Sequence, residues 1–421
     1  MLSPTIRYIH PLLEIPPEVQ ATILPDASLS VLDFLQFPLR IISGTAPHQM
    51  AAEFFSNHEP TTQDIQTIRR IPVPPAKTVA DIVAACKVAI TAGACSVKCP
   101  HVPSALGKMV PMWIILYWAE VLQLRTTSRK AWVKAEEFLR TRKKAGIKGP
   151  GGEKVDEIMQ EAYDMLSCLP WCGDIQGFDH REPLYQLAVY ASHTWLGTTH
   201  ENQILDLLRR DLLFKGSRVE VAGMAFFVAL RDAYNCRNSG EYEGSRHFTW
   251  IREIGKALAS GDRDGLGTMA NINGDHWVAI ALDFEESLIW YGDSFGQDAV
   301  EEIVSVMDWW TFHHTGRKFS YRKLKISPQK DGFSCGLLGP NALFHFYLPD
   351  LYPLIDVAKV DSERVKLFLR VAQRHLDQSE VGQLHLCRKH QTNLRLRLWR
   401  QKVKGFNLPF RHQLSQTSQS P

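Results

Sequence analysis

The sequence predicts an α+β fold in which a mostly helical region precedes one that contains a sheet, and three observations point to it. Apolar residues recur at helical spacing in segments such as RKAWVKAEEFLRTRKK and VDEIMQEAYDMLSCL. Runs rich in β-branched and aromatic residues, GTMANIN, HWVAIALDF and SLIWYGD, read as strands. The last two are joined by a short Glu-Glu-Ser link and so form a hairpin.

At 421 residues the chain is long enough for two or three domains, and 45% apolar with 22% charged residues is ordinary for a globular protein. A net charge of +3 is too small to imply nucleic acid or membrane by itself. The start, MLSPTIRYIHPLLEIPPEV, lacks a basic stretch followed by a long apolar run, so no signal peptide is read. The most apolar stretch, 109–122, is too short to span a bilayer and contains Glu120. Eight thinly spread cysteines do not make a disulfide scaffold. The expectation is an intracellular protein with reduced thiols, in which a cysteine serves chemistry, metal binding or core filling.

Residues 1–77 read as an extended, linker-rich segment, because the prolines of IPVPPAK (71–77) disfavour helix in the residues before them. Residues 78–183 read as helical. VADIVAACKVAITAG carries apolar residues on most faces, as a buried helix would, and KKAGIKGPGGEK reads as a hinge. Residues 184–380 open with the helix TTHENQILDLLRRDL. A short strand and helix follow in RVEVAGMAFFVALRDAY, then a helix around FTWIREIGKALAS. The three strands come next, followed by a helix over about 297–314, the strand FSYRKLKIS, the loop SPQKDGFS, a helix opening at Cys335 and a last helix over about 362–376. The basic, polar tail 381–421 is expected to be disordered.

Four side chains carry the candidate chemistry. His276 begins one strand of the hairpin and Asp293 ends the next, so antiparallel pairing places the carboxylate where it can hold the imidazole by one ring nitrogen. Cys335 lies at the expected start of a helix, and a helix N-terminus and a nearby imidazolium both favour a thiolate. Gln329 can donate an amide N–H which, with the Cys335 backbone N–H, would form an oxyanion hole.

His276-Trp277, Asp293 after 17 positions, Gln329 after 36 more and Cys335-Gly336 after a further six resemble the pattern of the ubiquitin-like-protein-specific proteases, the SUMO-protease superfamily. MANIN before His276, Asp293-Ser294, SPQKDGFSCG, Trp195-Leu196 with the helix after it, and SERVKLFLRVAQRHL fit the same pattern over about 184–377. The resemblance implies a papain-like, adenain-like core and a cysteine peptidase that needs no cofactor. It implies cleavage after the C-terminal Gly-Gly of a ubiquitin-like modifier, SUMO-like first, through an acyl-enzyme on Cys335, in nucleus or cytoplasm. It also implies a narrow tunnel between Trp195 and Trp277 that admits only glycine. The sequence departs from the pattern at Ser334, where Asp is usual, and at Gly197-Thr198, where Asn-Asp or Ser-Asp is usual, and it has a longer stretch between Trp195 and His276.

Two other functions share these residues: an acyltransferase using the same Cys, His and Asp, and a non-catalytic module that binds ubiquitin-like proteins. Cys95, Cys99 and His101 invite a zinc reading, but no fourth ligand is evident, and Cys168 and Cys172 lie over sixty residues away. No metal is therefore expected. The basic stretches 125–148 and 388–404 read as solvated faces rather than nucleic-acid sites.

Overall fold

The computed structural model describes residues 10–44, 50–99, 109–146 and 152–379. The tail 381–421, His101, Cys387 and residues 147–151 of the expected hinge lie outside them.

The first part of the chain is built from short, well-capped pieces. Helix α1 (Pro17–Ile23) opens on proline, whose missing N–H is harmless at that position. Helix α2 (Val31–Gln36) is capped by Ser30, whose Oγ accepts from Asp33 N. Strand β1 (Phe55–Ser56), helix α3 (Ile65–Arg70), helix α4 (Ala76–Thr91), and strands β2 (Ser96–Lys98) and β3 (Met109–Pro111) follow. The three strands form a small antiparallel sheet in the order β1-β2-β3. Helices α5 (Ile114–Thr126), α6 (Ser128–Gly146) and α7 (Gly152–Leu166) complete this part.

Two expectations change here. The segment 71–75 is extended, but it is not a linker. Val73 is fully buried, forms a parallel bridge with Ile42, and exchanges hydrogen bonds with Ile41 O (3.0 Å) and Ser43 N (2.8 Å). Proline selects an extended backbone without deciding whether solvent or another strand lies beside it. Helix α4 is not buried all round either: it buries one stripe, Val79, Ile82 and Cys86, and leaves Val88 exposed. Two of the basic residues of 125–148 turn inward. Arg125 and Arg129 donate to Leu39 O (2.8 Å) and Phe37 O (2.7 Å), satisfying carbonyls beyond the last turn of α2.

The second part begins with a 3-10 segment (Leu184–Val189) and helix α8 (Thr198–Phe214). Strand β4 (Glu220–Val221) and helices α9 (Ala225–Asn235), α10 (Glu241–Gly244) and α11 (Thr249–Ala259) lead to the main sheet. Its strands are β5 (Gly265–Ile272), β6 (His276–Asp283), β7 (Leu288–Gly292) and, after helix α12 (Glu301–Thr315), β8 (Ser320–Lys323). The order is β4-β5-β6-β7-β8, antiparallel between β5, β6 and β7 and parallel at both edges. Helices α13 (Cys335–Tyr347) and α14 (Val360–Gln378) close the chain.

Strand β6 reads as an apolar run because both of its faces are covered. Trp277, Ala279 and Ala281 face α13, while Val278, Ile280 and Leu282 face α9, α11 and α12. This helix-flanked mixed sheet, with a helix opening at Cys335 against its central strand, bears out the expected α+β class. One continuous buried core runs from Leu13 through α5, α6 and α7 to α8, α13 and α14, so packing does not break near residue 183.

Among the described residues no helix is long and apolar enough to cross a membrane. Buried histidines make the fold sensitive to acid. Burial holds His200 and His375 at a pKa of about 4 and lowers that of His314 likewise. The unfolded chain binds these protons below about pH 6.5, so stability falls as pH drops from there toward 4. The raised pKa of His276 offsets part of that trend. Going from pH 7 to 5 is expected to lower the thermal midpoint by several degrees, about 1–2 kcal/mol from each of His200 and His375. His375→Gln is expected to flatten the dependence, and an equally steep pH dependence in that variant would refute the assignment.

Candidate active site

The turn between β5 and β6 is made by Asn273 and Gly274, both at positive φ, and it delivers His276 to the first paired position of β6, opposite Ile272. Strand β7 ends at Gly292. The chain then turns, with Gly296 N donating to Asp293 O (2.9 Å), and the Asp293 carboxylate swings toward β6. His276 Nε2 lies 2.8 Å from Asp293 Oδ1, which also accepts from Phe295 N at 2.7 Å. With the carboxylate accepting, Nε2 carries the proton and Nδ1 is left free. The Phe295 ring stacks on the imidazole at 4.7 Å and is half exposed, so it covers one face of the histidine.

Cys335 is 1% exposed and begins α13. Glycines in its first turns let the helix pack closely against Leu196, Glu201 of α8 and Met269 of β5. A Cβ on Gly336 would collide with Glu201 Oε1 and come within 2.9 Å of Leu196 Cβ, and one on Gly339 would collide with Met269 Cε. Burial alone would raise the Cys335 pKa, yet it is lowered. The neighbouring His276 imidazole and the Trp277 backbone N–H outweigh burial. His276 moves the opposite way: burial pulls it down, but Cys335 and Asp293 bring it above its ordinary value. The two shifts together favour a thiolate–imidazolium pair.

The loop before Cys335 is organised by Asp331. Its Oδ1 accepts from Phe333 N (2.9 Å) and Ser334 N (2.8 Å), and its Oδ2 accepts from Ser334 Oγ (2.6 Å). These bonds keep its carboxyl below the usual range although burial works against them. Gln329 joins the same network. Its Oε1 accepts from Ser294 Oγ (2.8 Å), and its Nε2 donates to Asp331 O (2.6 Å) with a weak 3.4 Å contact to Asp331 Oδ1. One amide hydrogen is therefore committed to the loop and the other is only loosely held.

The structure brings Trp195 and Trp277 together, although not around an open gap. Their rings stack with centroids 5.0 Å apart and planes 12° apart. Trp277 is the fixed member, 2% exposed with its Nε1 donating to Leu196 O at 2.7 Å. No cluster of three or more metal-ligating side chains occurs among the described residues.

Three features were missed in the sequence. Arg364 on α14, 1% exposed, donates to Val189 O (2.9 Å), Tyr190 O (3.3 Å) and Thr194 O (2.7 Å), and its guanidinium lies 5.7 Å from the Phe333 ring. It thereby ties the segment before Trp195 to the loop before Cys335. Phe333 also meets His193 (4.7 Å), which packs on Phe138 of α6 (5.2 Å) and pairs with Asp361 (2.8 Å), itself bound by Arg142 of α6. Glu201 on α8 is fully buried against Gly336. The first two offered no local pattern. Glu201 did offer one: it falls on the apolar stripe formed by Ile204, Leu205, Leu208 and Leu212, where a carboxylate is out of place.

No family model and no curated protein matches the chain. Several solved structures are similar to it. One is the SUMO protease Ulp1 with its catalytic cysteine oxidised to a sulfenic acid, at 17% identity over 52% of this chain and 93% of that one, TM-score 0.40. Another is the Ulp1-like SUMO protease catalytic domain of Chaetomium thermophilum, at 12% identity over 54% and 93%, TM-score 0.40. A third is the Xanthomonas campestris effector XopD bound to ubiquitin, at 18% identity over 41% and 90%, TM-score 0.28.

Two outcomes follow from the geometry. The thiolate ultraviolet absorbance that distinguishes wild type from Cys335→Ala is expected to persist below the ordinary thiol range and to vanish on acidification. His276→Ala is expected to raise that midpoint by about 1 unit or more, and an unchanged midpoint would contradict the pairing. Gly336→Ala is expected to destabilise the fold by about 1–3 kcal/mol and to displace Cys335, which would appear as a lowered thermal midpoint together with a shifted thiolate titration.

Proposed function

We propose that this protein is a cysteine peptidase that cleaves after the C-terminal glycine of a ubiquitin-like modifier, SUMO-like first among them. The observation that carries the reading is the geometry at His276: its Nε2 lies 2.8 Å from Asp293 Oδ1, and His276 and Cys335 shift each other toward imidazolium and thiolate at the start of α13.

In this reading the Cys335 thiolate attacks the glycine carbonyl, and the oxyanion is met by the Cys335 backbone N–H and the loosely held amide hydrogen of Gln329. The His276 imidazolium gives its proton to the departing amine, leaving a thioester. The neutral imidazole then takes a proton from water, which attacks the thioester and frees the thiolate. Asp293 keeps the ring oriented throughout. Substrate choice is assigned to the tryptophan pair. Trp277 is anchored to Leu196 O, so a backbone passing between the rings requires Trp195 to swing away, and a Cβ on that backbone would widen the gap further.

The test is incubation with a panel of ubiquitin-like proteins that carry an electrophile at the C-terminal glycine. A covalent adduct is expected with at least one member and is expected to disappear in Cys335→Ala. With a cleavable conjugate of that member, Asp293→Asn is expected to lower kcat by a factor on the order of 10²–10⁴. Folded protein that labels with no member of the panel would sink the proposal.

A further inference from the structure

Glu201 is a feature beside the site that triad chemistry does not use. It is fully buried, and neither carboxyl oxygen has a hydrogen-bond partner among the described residues. It is wedged against Gly336, the residue after the candidate nucleophile, at the point where α8 meets the start of α13. Facing the same region are Cys335 on α13, Arg364 on α14 and Tyr190 before α8, with His200 of α8 itself packed on Tyr190 and His276 of β6 beside Cys335. Arg364 is the cation nearest in influence. It forms no ion pair with Glu201, its Nη1 also lacks a partner, and its bonds go to backbone carbonyls.

An ionised carboxylate cannot persist in that position, because a buried charge needs either a counter-ion in contact or several donors. Glu201 has neither. A second negative charge lies close by when Cys335 is a thiolate, and two such groups in one low-dielectric site cannot both ionise. We propose that Glu201 and Cys335 share a single negative charge, with Glu201 held as a neutral carboxylic acid while Cys335 is the thiolate. Burial first, and Cys335 second, push the carboxyl well above its ordinary range, while Arg364 opposes them. Glu201 is then a positioning residue. In its neutral form it fills the space under Gly336 and leaves intact the positive field of the helix start and the imidazolium. In its ionised form it would cancel that field. The inference rests on the reading of Cys335 as the nucleophile only for its catalytic meaning, since the charge coupling stands without a substrate.

The sign of the stability change decides between the two states of Glu201. A carboxyl whose pKa is raised in the folded protein weakens the fold as pH rises above its unfolded value, because the unfolded chain releases a proton that the native chain keeps. Glu201→Gln is therefore expected to melt several degrees higher than wild type at pH 7, with the difference vanishing near the ordinary glutamate value of 4.5. A lower melting temperature for the variant at pH 7 would overturn the proposal, because it would mean that a charged Glu201 pairs with Arg364. Infrared difference spectroscopy supplies a second measurement that needs no variant of Glu201. Wild type is expected to show the carbonyl band of a protonated carboxyl at neutral pH. In Cys335→Ala that band is expected to disappear at lower pH than in wild type, because the competing charge is gone. A band that titrates identically in both proteins, or no band at all, would refute the sharing of charge.

Discussion

The site depends on how closely α13 lies against β6. Gly336 and Gly339 are one helical turn apart on the same side of α13, and each stands where a methyl group would strike a neighbour. That proximity sets the first residue of the helix, Cys335, beside the first residue of the strand, His276. The hairpin to β7 then supplies Asp293 with no further adjustment, since its end and the start of β6 are already adjacent. A cysteine, a histidine and an aspartate thus come from three element ends, which the backbone fixes more rigidly than a long loop could.

The electrostatics follow from the same packing. The sulfur is buried, which by itself opposes a negative charge. The His276 imidazole and the Trp277 backbone N–H reverse that preference. Asp331 serves the loop rather than the sulfur: four donors from residues 329–334 converge on its side chain and backbone carbonyl, fixing the approach to Cys335. Arg364 stays charged, although burial lowers its pKa to about 10, and it spends its hydrogen bonds on the carbonyls of residues 189–194. The polar groups around the site therefore act mainly as fasteners for backbone.

Much of this was legible in the sequence where pattern and structure are locally coupled. Strand β6 announced itself because burial on both faces produces an unbroken apolar run, and the short link to β7 fixed the partner of His276. The helix at Cys335 could be read from the loop before it. Other features are set by contacts between distant segments and leave no local trace. The prolines of 71–75 specify an extended backbone equally well for a linker and for a bridge to Ile42. The amide of Gln329 turns toward Asp331 because of hydrogen bonds inside a loop whose path the sequence does not state. Trp195 and Trp277 could be placed at the site, but that they touch is a matter of packing.

An aromatic path links the first part of the chain to the nucleophile: Phe138 on α6, then His193, then Phe333, two residues before Cys335. The Arg142–Asp361 pair clamps it at 2.9 Å, and the core beneath it is shared by both parts of the chain. Exchanging the helices before residue 184 as a cassette would strip one wall from the loop that carries the Cys335 sulfur. A change in α6 is therefore felt, through His193, at Phe333 beside the sulfur.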